Sequence, residues 1–207
     1  TADFHPIQGS ITNFQPGDIY KSLEKHYQNI IDCYNQALIV KDKFSKLFLE
    51  HFEINMKLAK ISLEAAHTIN KRNLSEALCH LDYVNKNIIF ENNEKLWVID
   101  FDKCALDYCA HDIGYYLRRL LKRDNTNWDV STALAAINAY ESANNLSMDD
   151  LKYIFSYVCF PQKYWKISRD YYNNITKCNK NSFYNLLLKA VQKEHAQLTF
   201  AKELKKI

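Results

Sequence analysis

Apolar residues along most of this chain recur at three- and four-residue spacing, the period of an amphipathic helix. From Asp18, a suitable N-cap, Ile19, Leu23, His26, Tyr27, Ile30 and Ile31 fall on one such stripe. Phe44, Phe48, Phe52, Met56, Ala59 and Leu63 carry the period on. They predict a long core-facing helix over about residues 41–68. The texture then changes. Two short apolar runs, NIIF and LWVID, flank the polar stretch ENNEK, which predicts a β-hairpin over 87–90 and 95–100. It is the only β-structure expected. Helical spacing returns beyond it, and helices are predicted near 108–123, 128–145, 149–160, 161–175 and 181–206. Ser147 followed by Asp149 and Asp150 suits a helix start, and Pro161 suits the first turn of the next helix. Residues 1–17 hold two of the three prolines and two of the three glycines, and read as a leading loop. The expected fold is mainly α with a small β-hairpin.

Composition narrows the function classes. The chain has 207 residues, 47% hydrophobic and 25% charged, which are globular values. The formal net charge of +3 is too small to predict nucleic-acid binding, and no apolar run approaches a membrane span. Gly9, Gly17 and Gly114 are too far apart for a glycine-rich phosphate cradle. Six cysteines form no CxxC pair. Cys104, Cys109 and His111 lie close together but lack the partner cluster that a closed zinc site needs, so ordinary thiols are expected. No signal-peptide pattern opens the chain, so a reducing, cell-internal setting is expected. The chain begins at Thr1 rather than methionine, as a piece of something longer would.

The chemistry gathers around the hairpin. His80-Leu81-Asp82 stands just before it, and Asn87 follows Asp82 by five residues, the His-x-Asp-x-x-x-x-Asn spacing of a kinase catalytic loop. Asp100 ends the second run, in Val98-Ile99-Asp100-Phe101-Asp102. Phosphoryl transfer calls for such a set. One carboxylate, Asp82, sits beside the attacking hydroxyl to orient it and accept its proton. A second carboxylate, Asp100, and a neutral amide oxygen, Asn87, are hard ligands for magnesium. The bland alternative is an asparagine-rich surface turn with scattered acids.

This stretch resembles the aminoglycoside phosphotransferase and choline kinase superfamily, and within it the CotS-type spore coat proteins. The resemblance rests on CHLD at 79–82, VIDFDKCALD at 98–107 and AHDIG at 110–114. CFPQKYW at 159–165, the Tyr171-Tyr172 pair, FSKLFLEHF at 44–52 and the opening ADFH extend it over nearly the whole chain. It implies the helical large lobe of a protein-kinase-like fold over residues 18–207, with the small nucleotide-binding lobe absent from this chain. It implies Asp82 as catalytic aspartate and Asn87 and Asp100 as magnesium ligands on the ATP phosphates. It also implies Asp112 as a brace of the catalytic loop and His80 as a loop anchor. Leu81 stands where the phosphotransferases usually carry glycine.

Two functions follow from the resemblance. One is a spore coat component, made in the mother cell, whose kinase-like scaffold binds other coat proteins. The other is a Mg- and ATP-dependent phosphotransferase acting on a hydroxylated small molecule or sugar. Two further signals are assigned to structure. Arg118, Arg119, Lys122 and Arg123 read as a solvated helix end. Tyr153, Tyr157, Tyr164, Trp165, Tyr171 and Tyr172 read as helix packing rather than as a platform for cationic amines.

Overall fold

The computed structural model describes residues 16–92 and 95–206, and the expected leading loop lies, up to residue 15, outside them. In chain order the helices α1 (Ile19–Val40), α2 (Lys43–Glu50) and α3 (Phe52–His67) come first. The strands β1 (Glu76–Cys79), β2 (Ile88–Glu91), β3 (Lys95–Val98) and β4 (Ala105–Tyr108) follow. The helices α4 (Cys109–Leu121), α5 (Val130–Glu141), α6 (Met148–Cys159), α7 (Gln162–Asn173), α8 (Lys180–Val191) and α9 (Glu194–Leu204) complete the chain. These elements divide into two compact units.

The all-helical unit combines Ile19–His67 with Cys159–Ile207. Its centre is aromatic. Phe44 stacks on Tyr171 with ring centroids 3.8 Å apart, and Phe48 stacks on Tyr164 at 4.9 Å. Each tyrosine hydroxyl finds a partner, as a buried polar tip must. Tyr164 donates to the carbonyl of Phe48 at 2.7 Å, and Tyr171 donates to Asp42. Asp42 also caps α2, accepting from the backbone N–H of Ser45 at 2.9 Å. The dense tyrosines of α7 are thus core, as their helical spacing implied.

The long helix expected over 41–68 is two helices. The chain breaks at His51, whose Nδ1 lies 2.5 Å from the buried carboxylate of Glu194, and the same carboxylate accepts from Asn55 at 2.7 Å. The apolar stripe runs through this break without interruption, so only a tertiary contact reveals it. The helix expected over 181–206 is likewise interrupted, between α8 and α9.

The second unit is Thr68–Val158 with the stretch that ends at Asp18. It carries the expected hairpin, β2 against β3, in antiparallel register from Ile88↔Val98 to Glu91↔Lys95. The hairpin is not the only β-structure. β1 pairs antiparallel with β4, from Glu76↔Tyr108 to Cys79↔Ala105. These two segments, EALC and ALDY, are rich in helix-favouring Ala and Leu and meet only through a long-range pairing, so local pattern misses them. The consequence for function is topological. The loop from β1 to β2 and the loop from β3 to β4 leave the two small sheets at neighbouring ends, since Cys79 pairs with Ala105 and Ile88 with Val98.

α6 anchors this unit. Ser147 and Asp150 form a reciprocal cap: the Asp150 N–H donates to Ser147 Oγ at 3.0 Å, and the Ser147 N–H donates to the Asp150 carboxylate at 2.9 Å. That carboxylate also accepts from the N–H and hydroxyl of Ser75, at 2.9 and 2.6 Å, immediately before β1. Gly114 on α4 faces Tyr157 of α6; a Cβ there would lie 3.0 Å from the tyrosine ring, so the close approach of the two helices needs glycine.

Candidate active site

Residues 80–87 and 99–104 form the two loops between the sheets, and every residue singled out by the kinase-like spacing lies on them. The first loop is held from below. Asp112, in the first turn of α4, accepts from the backbone N–H of His80 at 2.6 Å and of Leu81 at 2.8 Å, one with each carboxylate oxygen. His80 is fully buried. Its Nδ1 accepts from the Asp82 N–H at 3.3 Å, so Nε2 carries the hydrogen and donates to the Ile99 carbonyl at 2.9 Å. One imidazole therefore ties the first loop to the second. Both its nitrogens are committed, so it is an anchor and not a free base.

The pinned backbone is strained. Leu81 has φ 57° and Asp100 has φ 68°, the left-handed region that disfavours side chains with a Cβ. Leu81, set by the resemblance at a glycine position, takes a backbone conformation that favours glycine. Leu81→Gly is therefore expected to stabilise the protein, by up to about 1 kcal/mol, the left-handed penalty less the added entropy of glycine. Urea denaturation checks this; a loss of stability above that amount would show that the leucine side chain is needed.

The loops bring the three candidate residues together. Asn87 is buried, and its Nδ2 donates to the Asp82 carbonyl at 3.0 Å. This fixes the amide and leaves its oxygen without a hydrogen-bond partner among the described residues. The Ile99 N–H donates to the Asn87 carbonyl at 3.0 Å, so Asp100 stands directly after the residue paired with Asn87. Lys86 spans the cluster, its ammonium 3.8 Å from the carboxylates of both Asp82 and Asp100.

Asn87 and Asp100 offer one amide oxygen and one carboxylate. Among the described residues no group of three or more His, Cys, Asp or Glu could hold a metal ion alone. That donor set suits magnesium, which takes hard oxygens, keeps several waters and shares itself with substrate phosphates. The residues present fit a nucleotide-dependent magnesium site rather than a closed protein cage.

Asp82 is more heavily engaged than its spacing suggested. Its Oδ2 accepts from Lys103 at 3.2 Å, and its Oδ1 accepts from the Tyr115 hydroxyl at 3.2 Å. The Lys103 hydrogen bond is the chief reason its carboxyl is held below the usual carboxylate range; burial opposes it as the next largest effect, and the Lys103 charge, Tyr115 and Lys86 add to the lowering. Tyr115 in turn accepts from Arg119 at 2.7 Å. Arg118 lies with its guanidinium 4.3 Å from the Tyr157 ring and donates to that hydroxyl at 3.1 Å. The expectation of a solvated helix end is thus corrected for Arg118, which is half-buried against Tyr157, while Arg119 is exposed. Sequence reasoning missed Lys86, Lys103, Tyr115 and Arg119 as neighbours of Asp82. The signal for Tyr115 and Arg119 was their i, i+4 spacing on the helix that carries Asp112. The cysteines behave as ordinary thiols: burial raises Cys79, and Cys109 is raised to about 11, while His111 Nδ1 sits 2.9 Å from Asp107.

Known proteins share this architecture. An aminoglycoside phosphotransferase from Alicyclobacillus acidocaldarius superposes with a TM-score of 0.80 at 20% identity, over 92% of this chain and 58% of its own length. A spectinomycin phosphotransferase solved with ADP and spectinomycin superposes at 0.59 and 17% identity, over 93% of this chain and 58% of that one. The chain therefore spans little more than half the length of these enzymes. The likeness establishes the kinase-like fold of the aminoglycoside phosphotransferases. In sequence, homoserine kinases of Sinorhizobium fredii and Sinorhizobium medicae are each 26% identical, over 80 and 81 residues, which is 39% of this chain and about a quarter of theirs. Residues 21–204 match one family throughout, and by that match the chain belongs to the spore coat putative kinase YutH family.

Proposed function

We propose that this chain supplies the acceptor and metal half of an ATP-dependent phosphotransferase acting on a hydroxylated small molecule. The observation that carries the reading is the strained loop pair. Leu81 and Asp100, both in the left-handed region, flank the juxtaposed Asp82 and Asn87. Both carboxylate oxygens of Asp112 and both ring nitrogens of His80 are engaged in holding that arrangement. Strain of about 1–3 kcal/mol per residue persists where surrounding structure over-determines it, and such sites cluster at functional centres.

The roles follow from position. Asp82 orients the acceptor hydroxyl and accepts its proton; held as a carboxylate by Lys103, it is ready to do so. Asn87 and Asp100 would hold magnesium on the ATP phosphates, where the ion neutralises charge developing during transfer. The glycine-rich loop and phosphate-binding lysine of the small lobe come, in this reading, from outside residues 1–207. The reading is tested by following ADP release from Mg-ATP by the full-length gene product, with hydroxylated acceptors supplied. Acceptor-stimulated release supports it, and its absence across neutral, acidic and basic acceptors defeats it.

The depressed carboxyl of Asp82 sets a pH expectation. The base form persists to lower pH than an ordinary aspartate would allow, so the acid limb of the rate profile lies low. Lys103→Met removes the main cause, raises the carboxyl toward its ordinary value and moves that limb to higher pH. A pH–rate profile of both proteins checks the sign; an unmoved limb shows that Asp82 is not the titrating base.

A second reading is a coat scaffold, placed in the spore coat after synthesis in the mother cell and binding other coat proteins. What favours it is the hairpin, where Phe90 and Trp97 are 67% and 54% exposed. Exposed aromatics of this kind mark interaction surfaces. The two readings part on Asp82→Asn, which leaves coat incorporation intact if the hairpin is the functional surface.

A further inference from the structure

The charges around Asp82 are lopsided, and they bear on what the acceptor is. Lys103 and Lys86 approach Oδ2 of Asp82 at 3.2 and 3.8 Å. Tyr115 donates to Oδ1, and Arg119 donates to Tyr115 while its guanidinium lies 4.7 Å from that ring. Arg119 is exposed and Arg118 half-buried, and among the described residues neither has a carboxylate partner; both rest on tyrosines. A guanidinium has five N–H donors and an ammonium three. Each of Arg119 and Lys103 spends one of them here, so donors remain on both sides of the proposed base.

We propose that the acceptor recognised beside Asp82 is an anionic hydroxylated molecule, one bearing a carboxylate or a phosphate. The inference rests on the phosphotransferase reading above and names its substrate class. An anionic group meets the spare donors of Lys103 and Arg119 while its hydroxyl lies at Asp82. An amine finds the Asp82 carboxylate already matched by Lys103, with Lys86 shared between it and Asp100, and adds a like charge to both. An aminoglycoside-type polyamine is therefore disfavoured, whatever the fold it shares with known enzymes. In the transfer itself, the acceptor oxygen bonds to the γ-phosphorus of ATP as the bond to the β–γ bridging oxygen breaks. ADP leaves, and the hydroxyl proton goes to Asp82.

A matched three-carbon series tests the inference on the full-length protein: glycerate, glycerol phosphate, glycerol and aminopropanediol. Binding of each is read by calorimetry at low salt, and transfer from Mg-ATP is read separately. At least one of the two anions is expected to bind about tenfold or more tighter than aminopropanediol, with glycerol between, and added salt should erode the preference. Which anion leads distinguishes a carboxylate from a phosphate head. Arg119→Gln should weaken that anion severalfold and leave glycerol unchanged, and Lys103→Met should weaken the anion more than it weakens glycerol. Lys103→Glu should shift the preference toward aminopropanediol. Equal or tighter binding of aminopropanediol, or no binding of either anion at millimolar concentration, overturns the inference. Anion binding lost in these variants, with no transfer from ATP, upholds the anion site and sinks the catalytic reading. Transfer that favours aminopropanediol does the reverse.

Discussion

Asp82→Asn is expected to lower phosphoryl transfer by the full-length protein about a hundred- to ten-thousandfold, the range that a positioned base contributes. The substitution keeps the size of the side chain and one acceptor oxygen but removes the carboxylate that takes the proton. It also sets an amide NH2 against the donors now served, Lys103 and Tyr115. The loop itself should hold, because its braces act on other atoms: Asp112 on the backbone of His80 and Leu81, Asn87 on the backbone carbonyl of residue 82. ATP affinity should therefore change little while turnover falls. Steady-state kinetics alongside nucleotide titration separates the two. Turnover within tenfold of the unaltered protein would remove Asp82 from the chemistry.

Asp150→Ala is expected to cost about 2–4 kcal/mol of stability, the scale for losing a helix cap and leaving neutral buried donors without their acceptor. Its carboxylate is fully buried and accepts from the N–H and hydroxyl of both Ser75 and Ser147. Removing it leaves these donors near the protein interior with no acceptor and undoes the cap of α6. Since small domains are stable by only about 5–15 kcal/mol, such a loss approaches unfolding of the unit that holds the site. Asp150→Asn, which keeps one acceptor oxygen, should cost less. Urea denaturation of the three proteins measures this, with hydrogen exchange in β1 reporting whether the damage reaches Ser75. A loss below about 1 kcal/mol for the alanine variant would show that water serves these donors instead.

Much of this was legible in the chain. The helical period located the start of α1 and the bounds of α4 to α7 to within a few residues, because each buries one apolar face. The alternating runs around ENNEK located the hairpin. The order His80, Asp82, Asn87, Asp100 and Asp112 follows the chain, so a motif reading reached all of them, and the structure gathers them around two adjoining loops. What escaped the sequence was set by tertiary contact. The His51 break depends on Glu194, far along the chain, and the β1–β4 pairing joins residues about thirty apart. The cations at Asp82 escaped for the same reason. Lys86 and Lys103 look like ordinary solvated residues until the loops bring them onto one carboxylate, and Arg119 reaches it only through Tyr115.

The central claim is that Asn87 and Asp100 hold magnesium on ATP in the loops beside Asp82. Calorimetric titration of ATP into the full-length gene product, with and without magnesium and with Asp100→Ala, tests it most directly. The account predicts binding that requires magnesium and weakens tenfold or more in the Asp100→Ala protein. Binding indifferent to both magnesium and Asp100, or no binding at millimolar nucleotide, would contradict it.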